Sequence, residues 1–93
     1  STATAKRINL SLAERDSQPV PFIAETGGQN AMIVDSTALP EQVVRDVVRS
    51  AFASAGQRCS ALRVLFVQKD IAPRITKLIQ GAMKELSVGR PYL

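Results

Sequence analysis

A chain of 93 residues with one cysteine, no histidine and a net charge of +4 holds at most one small domain. Its 45% apolar and 22% charged residues are a globular rather than a disordered mixture, a lone thiol excludes an internal disulfide, and the missing histidines leave no zinc or transition-metal cluster to expect. No run approaches the roughly 20 apolar residues of a membrane span, and the scattered basic residues lack the interleaved aromatics of a base-stacking surface, so no transmembrane segment and no nucleic-acid partner are expected.

In chain order, STATAKRINLSLAERD reads as a helix, with Ala5, Ile8 and Leu12 at helical spacing and Ser or Thr available as a cap. PVPFIAE is a short apolar run that suits a buried strand. TGGQN breaks the pattern, and AMIVD reads as a second strand. Pro40 and Glu41 suit the first turn of a helix whose apolar stripe is Val44, Val47, Val48, Ala51, Phe52 and Ala55, ended by Gly56. ALRVLFVQ is the densest strand pattern in the chain. Asp70 can cap a last helix with the stripe Ile71, Ile75, Leu78, Ile79, Ala82, Met83 and Leu86, and Gly89 and Pro91 supply stop signals. The order α-β-β-α-β-α predicts an α/β fold with mostly parallel strands.

Two residues stand out chemically. Cys59 lies in the loop SAGQRCSALR, between a helix and a strand, where active residues commonly sit. A lone cysteine is also a common small buried hydrophobe, so position alone leaves both readings open. Arg58 beside it can favour a thiolate, and without histidine any general base must be a carboxylate, a lysine or a group from elsewhere. Glu25 closes an apolar run directly before Thr26-Gly27-Gly28. It is either a solvated strand-end acid or a carboxylate put to use.

The combination resembles the aldehyde dehydrogenase superfamily, which pairs a glutamate-x-Gly-Gly motif with a downstream Gly-Gln-x-Cys loop. Here ETGGQNAMIV precedes SAGQRCSALRVLFV, with Cys59 34 residues after Glu25 (59 − 25). The likeness covers essentially the whole chain, ending at VGRP where the family usually has Val-Gly-Asp-Pro. AETGGQNAMIVDSTALPEQVV and SAFASAGQRCSALRVL are similar, within it, to the L-glutamate γ-semialdehyde dehydrogenases that bacteria fuse to a proline dehydrogenase. Thr26, where much of the superfamily has leucine, and Gln29, where it commonly has lysine, point the same way.

The resemblance implies Cys59 as nucleophile and Glu25 as the base that activates the hydrolytic water. It implies Thr26 and Gly27 along the nicotinamide of NAD, Ser1 (with Thr2) at a helix start that receives the dinucleotide phosphates, and Arg58 and Ser60 at the carboxylate end of the aldehyde substrate. Residues 1–28 would close a Rossmann-like NAD domain and 29–93 would open the catalytic domain. The chain, which starts at Ser1, reads as an internal segment of a longer homo-oligomer, and the resemblance implies a parent that is cytoplasmic or peripheral at the bacterial inner membrane, with FAD confined to the proline dehydrogenase part outside this segment. The segment alone would then be inactive. The other reading is a non-catalytic nucleotide-binding or redox-sensing α/β module in which Cys59 is oxidised rather than acylated.

Overall fold

Helix α1 spans Thr2–Ala13 in the computed structural model, which describes residues 1–90 and Tyr92. Ser1 caps it as expected, its Oγ accepting from the Thr4 backbone N–H at 3.3 Å. The helix has no buried residue, and Ile8 and Leu10 are largely in solvent. It makes no substantial packing contact with another element.

The strand expected over PVPFIAE does not form. Among the described residues no backbone edge lies against it, and without ladder hydrogen bonds an apolar run stays irregular. The observed order is therefore α-β-α-β-α, one strand fewer than expected, still within the α/β class.

Strand β1 (Asn30–Val34), helix α2 (Pro40–Phe52) and strand β2 (Leu62–Val67) form a βαβ unit whose two strands pair in parallel. Helix α3 (Ala72–Lys84) packs against α2. The buried cluster is Val34, Val43, Val47, Leu62 and Ile75, with Met32, Leu65, Val67, Ile71 and Ile79 packed around it. Val43, absent from the expected α2 stripe, lies deeper than Val44 or Val48. The helix presents the row 43-47-51 to the sheet, at i+4 spacing. Pro40 and Glu41 open α2 as read from the sequence, and Arg49 in its last turn completes a favourable alignment with the helix dipole.

Two helix boundaries differ from expectation. Asp70 does not cap α3: the cap position is Ile71, and the Asp70 carboxylate accepts from Gln68 Nε2 at 3.1 Å. Pro73 in the first turn sets the helix start instead. Gly56 does not end α2 directly; the helix stops at Phe52, and Ala55 lies outside it. A turn over Ala53–Gly56 follows, in which Ser54, Ala55 and Gly56 all have positive φ (55°, 53° and 66°). Pro91, read as a stop signal, lies outside the described residues. No helix among the described residues is long and apolar enough to cross a membrane.

The opposite face of the sheet carries Ala31, Ile33, Val64 and Phe66, paired across the strands in register. Ile33 is 82% and Phe66 58% exposed. Strands apolar on both faces are the pattern of parallel sheets covered on both sides.

Candidate active site

Cys59 and Glu25 meet in one cleft. Its volume is about 470 Å³, and Glu25, Thr26, Gly27, Asn30, Cys59 and Ser60 are among its walls. It lies at the amino-terminal ends of β1 and β2, not at the carboxyl ends where open α/β sheets usually take ligands. The opposing wall comes from the irregular segment before β1, so the cleft is a joint between that segment and the βαβ unit. A larger hollow of about 660 Å³ runs along α1 between Thr4, Arg7, Ile8 and Arg15. That hollow contains no nucleophile paired with a carboxylate, and the smaller cleft is where the chemistry can occur.

The loop that carries Cys59 is held from three sides. The left-handed turn 53–56 reverses the chain after α2, and Gln57 N–H donates to Ser54 O at 3.0 Å. Arg63 Nη2 donates to Gly56 O at 2.7 Å. Asn30 Nδ2 donates to Cys59 O at 2.6 Å and to Ala61 O at 3.0 Å. Ala61 is fully buried, whereas Cys59 is an exposed free thiol. The nucleophile candidate is thus open to the cleft on a backbone fixed just behind it. Two non-glycine residues in the left-handed region store on the order of 1–2 kcal/mol each, strain of the kind found where a loop must present a functional group.

The facing wall is tied as well. Thr26 Oγ1 and Thr2 Oγ1 are hydrogen-bonded at 3.1 Å, which joins the residue after Glu25 to the first turn of α1. Ser1, Thr4, Phe22, Ala24 and Thr26 line an adjoining groove of about 200 Å³. Thr26 belongs to both hollows, so the groove that includes Ser1 adjoins the cleft lined by Glu25, Gly27, Cys59 and Ser60. A Cβ built on Gly27 would meet no protein atom within 4 Å, so the chain leaves open the space beside it.

Arg58 is the exception. It is not in the cleft wall, and its Nη2 points to Arg49 O in the last turn of α2 at 3.5 Å, a long contact. Sequence reasoning passed over Asn30 and Arg63. Period-two alternation puts Asn30 on the same inward face as Met32 and Val34, and an inward polar residue at a strand start was the available signal. For Arg63 the signal was a cation inside an apolar strand; the structure places it at the register shift that follows Asn30.

The comparisons agree on the family. The bifunctional protein PutA of Salmonella typhimurium is 60% identical over 94 residues, covering 98% of this chain and 7% of that protein. The Rhizobium meliloti bifunctional protein PutA is 67% identical over 75 residues, 77% of this chain. A putative succinate-semialdehyde dehydrogenase [NADP(+)] 2 of Mycobacterium ulcerans is 37% identical over 93 residues. A solved structure of proline utilization A with proline bound in remote sites superposes with a TM-score of 0.85 at 62% identity, over 98% of this chain and 9% of that one. The chain therefore spans under a tenth of the PutA proteins it matches. With the family profile matched over residues 1–93, this chain belongs to the aldehyde dehydrogenase family.

Proposed function

We propose that this chain carries the nucleophile and the hydrolytic base of an NAD-dependent dehydrogenase that oxidises L-glutamate γ-semialdehyde to L-glutamate in proline catabolism. The observation that carries the reading is the shared cleft of Cys59 and Glu25 in a chain of this family. The Cys59 thiolate adds to the aldehyde carbon, forming a C–S bond and placing negative charge on the carbonyl oxygen. The backbone N–H of Cys59 helps hold that oxyanion. NAD held beside Thr26 and Gly27 would supply the acceptor for the hydride that leaves the adduct carbon as the Cys59 thioester forms. Glu25 removes a proton from the attacking water, and Cys59 leaves as the thiolate with glutamate released.

The residues present suit a dinucleotide in kind. Thr26 and the open side of Gly27 line the cleft, and Ser1 opens α1, whose N-terminus favours an anion. NAD rather than NADP is what the motif resemblance around Glu25 and Cys59 implies; a more distant relative is named for NADP(+). Ser60, in the cleft wall, and Arg58, whose long bond to Arg49 O is readily exchanged for a carboxylate, serve the charged end of the substrate. A boundary near Gly28 between cofactor and catalytic domains is supported by the core, which draws only on residues from β1 onward. Homo-oligomeric assembly and a cytoplasmic location belong to the same reading.

The test is kinetic, in an active enzyme carrying this sequence. Cys59→Ser is expected to lower turnover by about 10³-fold or more. Glu25→Gln is expected to slow steady-state turnover by about 10²- to 10⁴-fold while keeping a first-turnover burst of reduced cofactor. Full activity in Cys59→Ser, or loss of the burst along with turnover in Glu25→Gln, would overturn the assignment.

A further inference from the structure

Asn30 does something that neither the family motif nor the proposed chemistry requires of it. It opens β1, is half-buried, and spends its side-chain nitrogen on the carbonyls of Cys59 and Ala61, at 2.6 and 3.0 Å. An amide NH₂ has two hydrogens, so both can be engaged, each with a carbonyl of the nucleophile loop. These bonds reach across 29 and 31 residues and fasten the loop to the strand that forms the floor of the cleft. The Cys59 carbonyl belongs to the peptide unit that follows the nucleophile, so fixing it restricts ψ of Cys59 and the tilt of that peptide plane. Ala61 anchors the far end, being fully buried with its N–H bonded to Arg58 O at 3.1 Å. Asn30 pairs with Leu62 at the first position of the ladder and a register shift follows directly, so its side chain ties the strand to the loop residues before Leu62, which the ladder itself does not reach.

We propose that Asn30 is the positioning residue of the nucleophile: a two-donor strap that fixes the Cys59–Ser60 and Ala61–Leu62 peptides, and with them the direction in which Cys59 presents its sulfur. This rests on the reading of Cys59 as nucleophile. Small displacements of a reacting group are enough to matter, since an error of about 1 Å can slow a reaction about 10²-fold.

The experiment compares Asn30→Asp and Asn30→Ala with the unaltered sequence in an active enzyme that carries it. Asn30→Asp keeps the shape but sets carboxylate oxygens against two carbonyls; Asn30→Ala removes the strap without adding charge and guards against a misfolded Asp variant. Both are expected to lower kcat by about 10- to 100-fold, with the first-turnover burst slowed in step. The dissociation constant of NAD, by titration calorimetry, should stay within about twofold, because the Asn30 amide bonds to the nucleophile loop, on the side of the cleft across from Thr26 and Gly27. The rate of Cys59 alkylation by iodoacetamide should change in both variants, a readout that general loss of stability without local loosening leaves unmoved. A kcat within about twofold of the unaltered enzyme in Asn30→Ala would overturn the proposal, as would kcat, NAD affinity and melting temperature falling together in both variants. Cys59→Ser in parallel separates the two levels: if it retains turnover, the nucleophile assignment fails; if it is inactive while Asn30→Ala is fully active, only the strap fails.

Discussion

Gly56 is the third of three consecutive residues with positive φ, at 66°, and a Cβ there would lie 2.7 Å from the carbonyl oxygen of Ala51. Neither condition can be relieved by a rotamer change, because the clash is with backbone. Gly56→Ala is expected to lower stability by about 2 kcal/mol or more, read from the urea midpoint. An unchanged midpoint would mean that the turn is free to adopt another path. At the other end of the strands, Asp35 accepts from the Thr37 hydroxyl at 2.6 Å and from its backbone N–H at 2.9 Å. These two bonds, the hydroxyl first, hold the carboxyl below its ordinary 3.8. A depressed carboxyl favours the folded state when ionised. Its contribution is therefore complete above about pH 4 and is lost as the pH falls through the folded-state value below that. Asp35→Asn should flatten the dependence of stability on pH in that acid range and leave the dependence above pH 5 alone. Urea midpoints at a series of acid pH values would check this.

Among the elements, α3 depends on one side chain more than any other. Ile75 is 1% exposed and sits in the cluster with Val34, Val43, Val47 and Leu62. Ile75→Ala is expected to cost about 2–4 kcal/mol, a large fraction of the stability of a domain this small, and to appear as a lowered melting temperature. Ile75 was legible because the stripe from Ile71 to Leu86 keeps a helical period throughout, and α2 was legible from Pro40 and its run of valines. The run PVPFIAE was misread for a definite reason. Strand propensity is a statement about side chains that fit a pleated surface, while a strand exists only where a neighbouring edge accepts its hydrogen bonds. The left-handed turn after Phe52 was equally hidden, since Ser54 and Ala55 carry no local signal for positive φ. The site was more legible than the turns around it. Glu25 and Cys59 could be paired through a resemblance, while the strap from Asn30 depends on a register shift that sequence does not display.

At the scale of the molecule, the radius of gyration is 19.3 Å, against about 12 Å for a compact globule of this length. The excess comes from α1 and the irregular segment after it, which stand away from the βαβα core. Exposed Ile8, Leu10 and Ile23 on that arm and Ile33 and Phe66 on the sheet leave apolar surface that water does not favour. The 93-residue chain alone is expected to self-associate at micromolar concentration; a monodisperse monomer in light scattering would contradict this.

The pairing of Cys59 and Glu25 across one cleft is tested most directly by trapping the covalent intermediate. An active enzyme carrying this sequence with Glu25→Gln would be mixed with L-glutamate γ-semialdehyde and NAD, quenched in acid within the first turnover, and digested for peptide mass mapping. The peptide containing Cys59 is expected to gain the mass of one glutamyl thioester, accumulating in the variant because the water that would release it lacks its base. An unmodified Cys59 peptide during active cofactor reduction, or an acyl group on another residue, would contradict the assignment of Cys59 as the nucleophile.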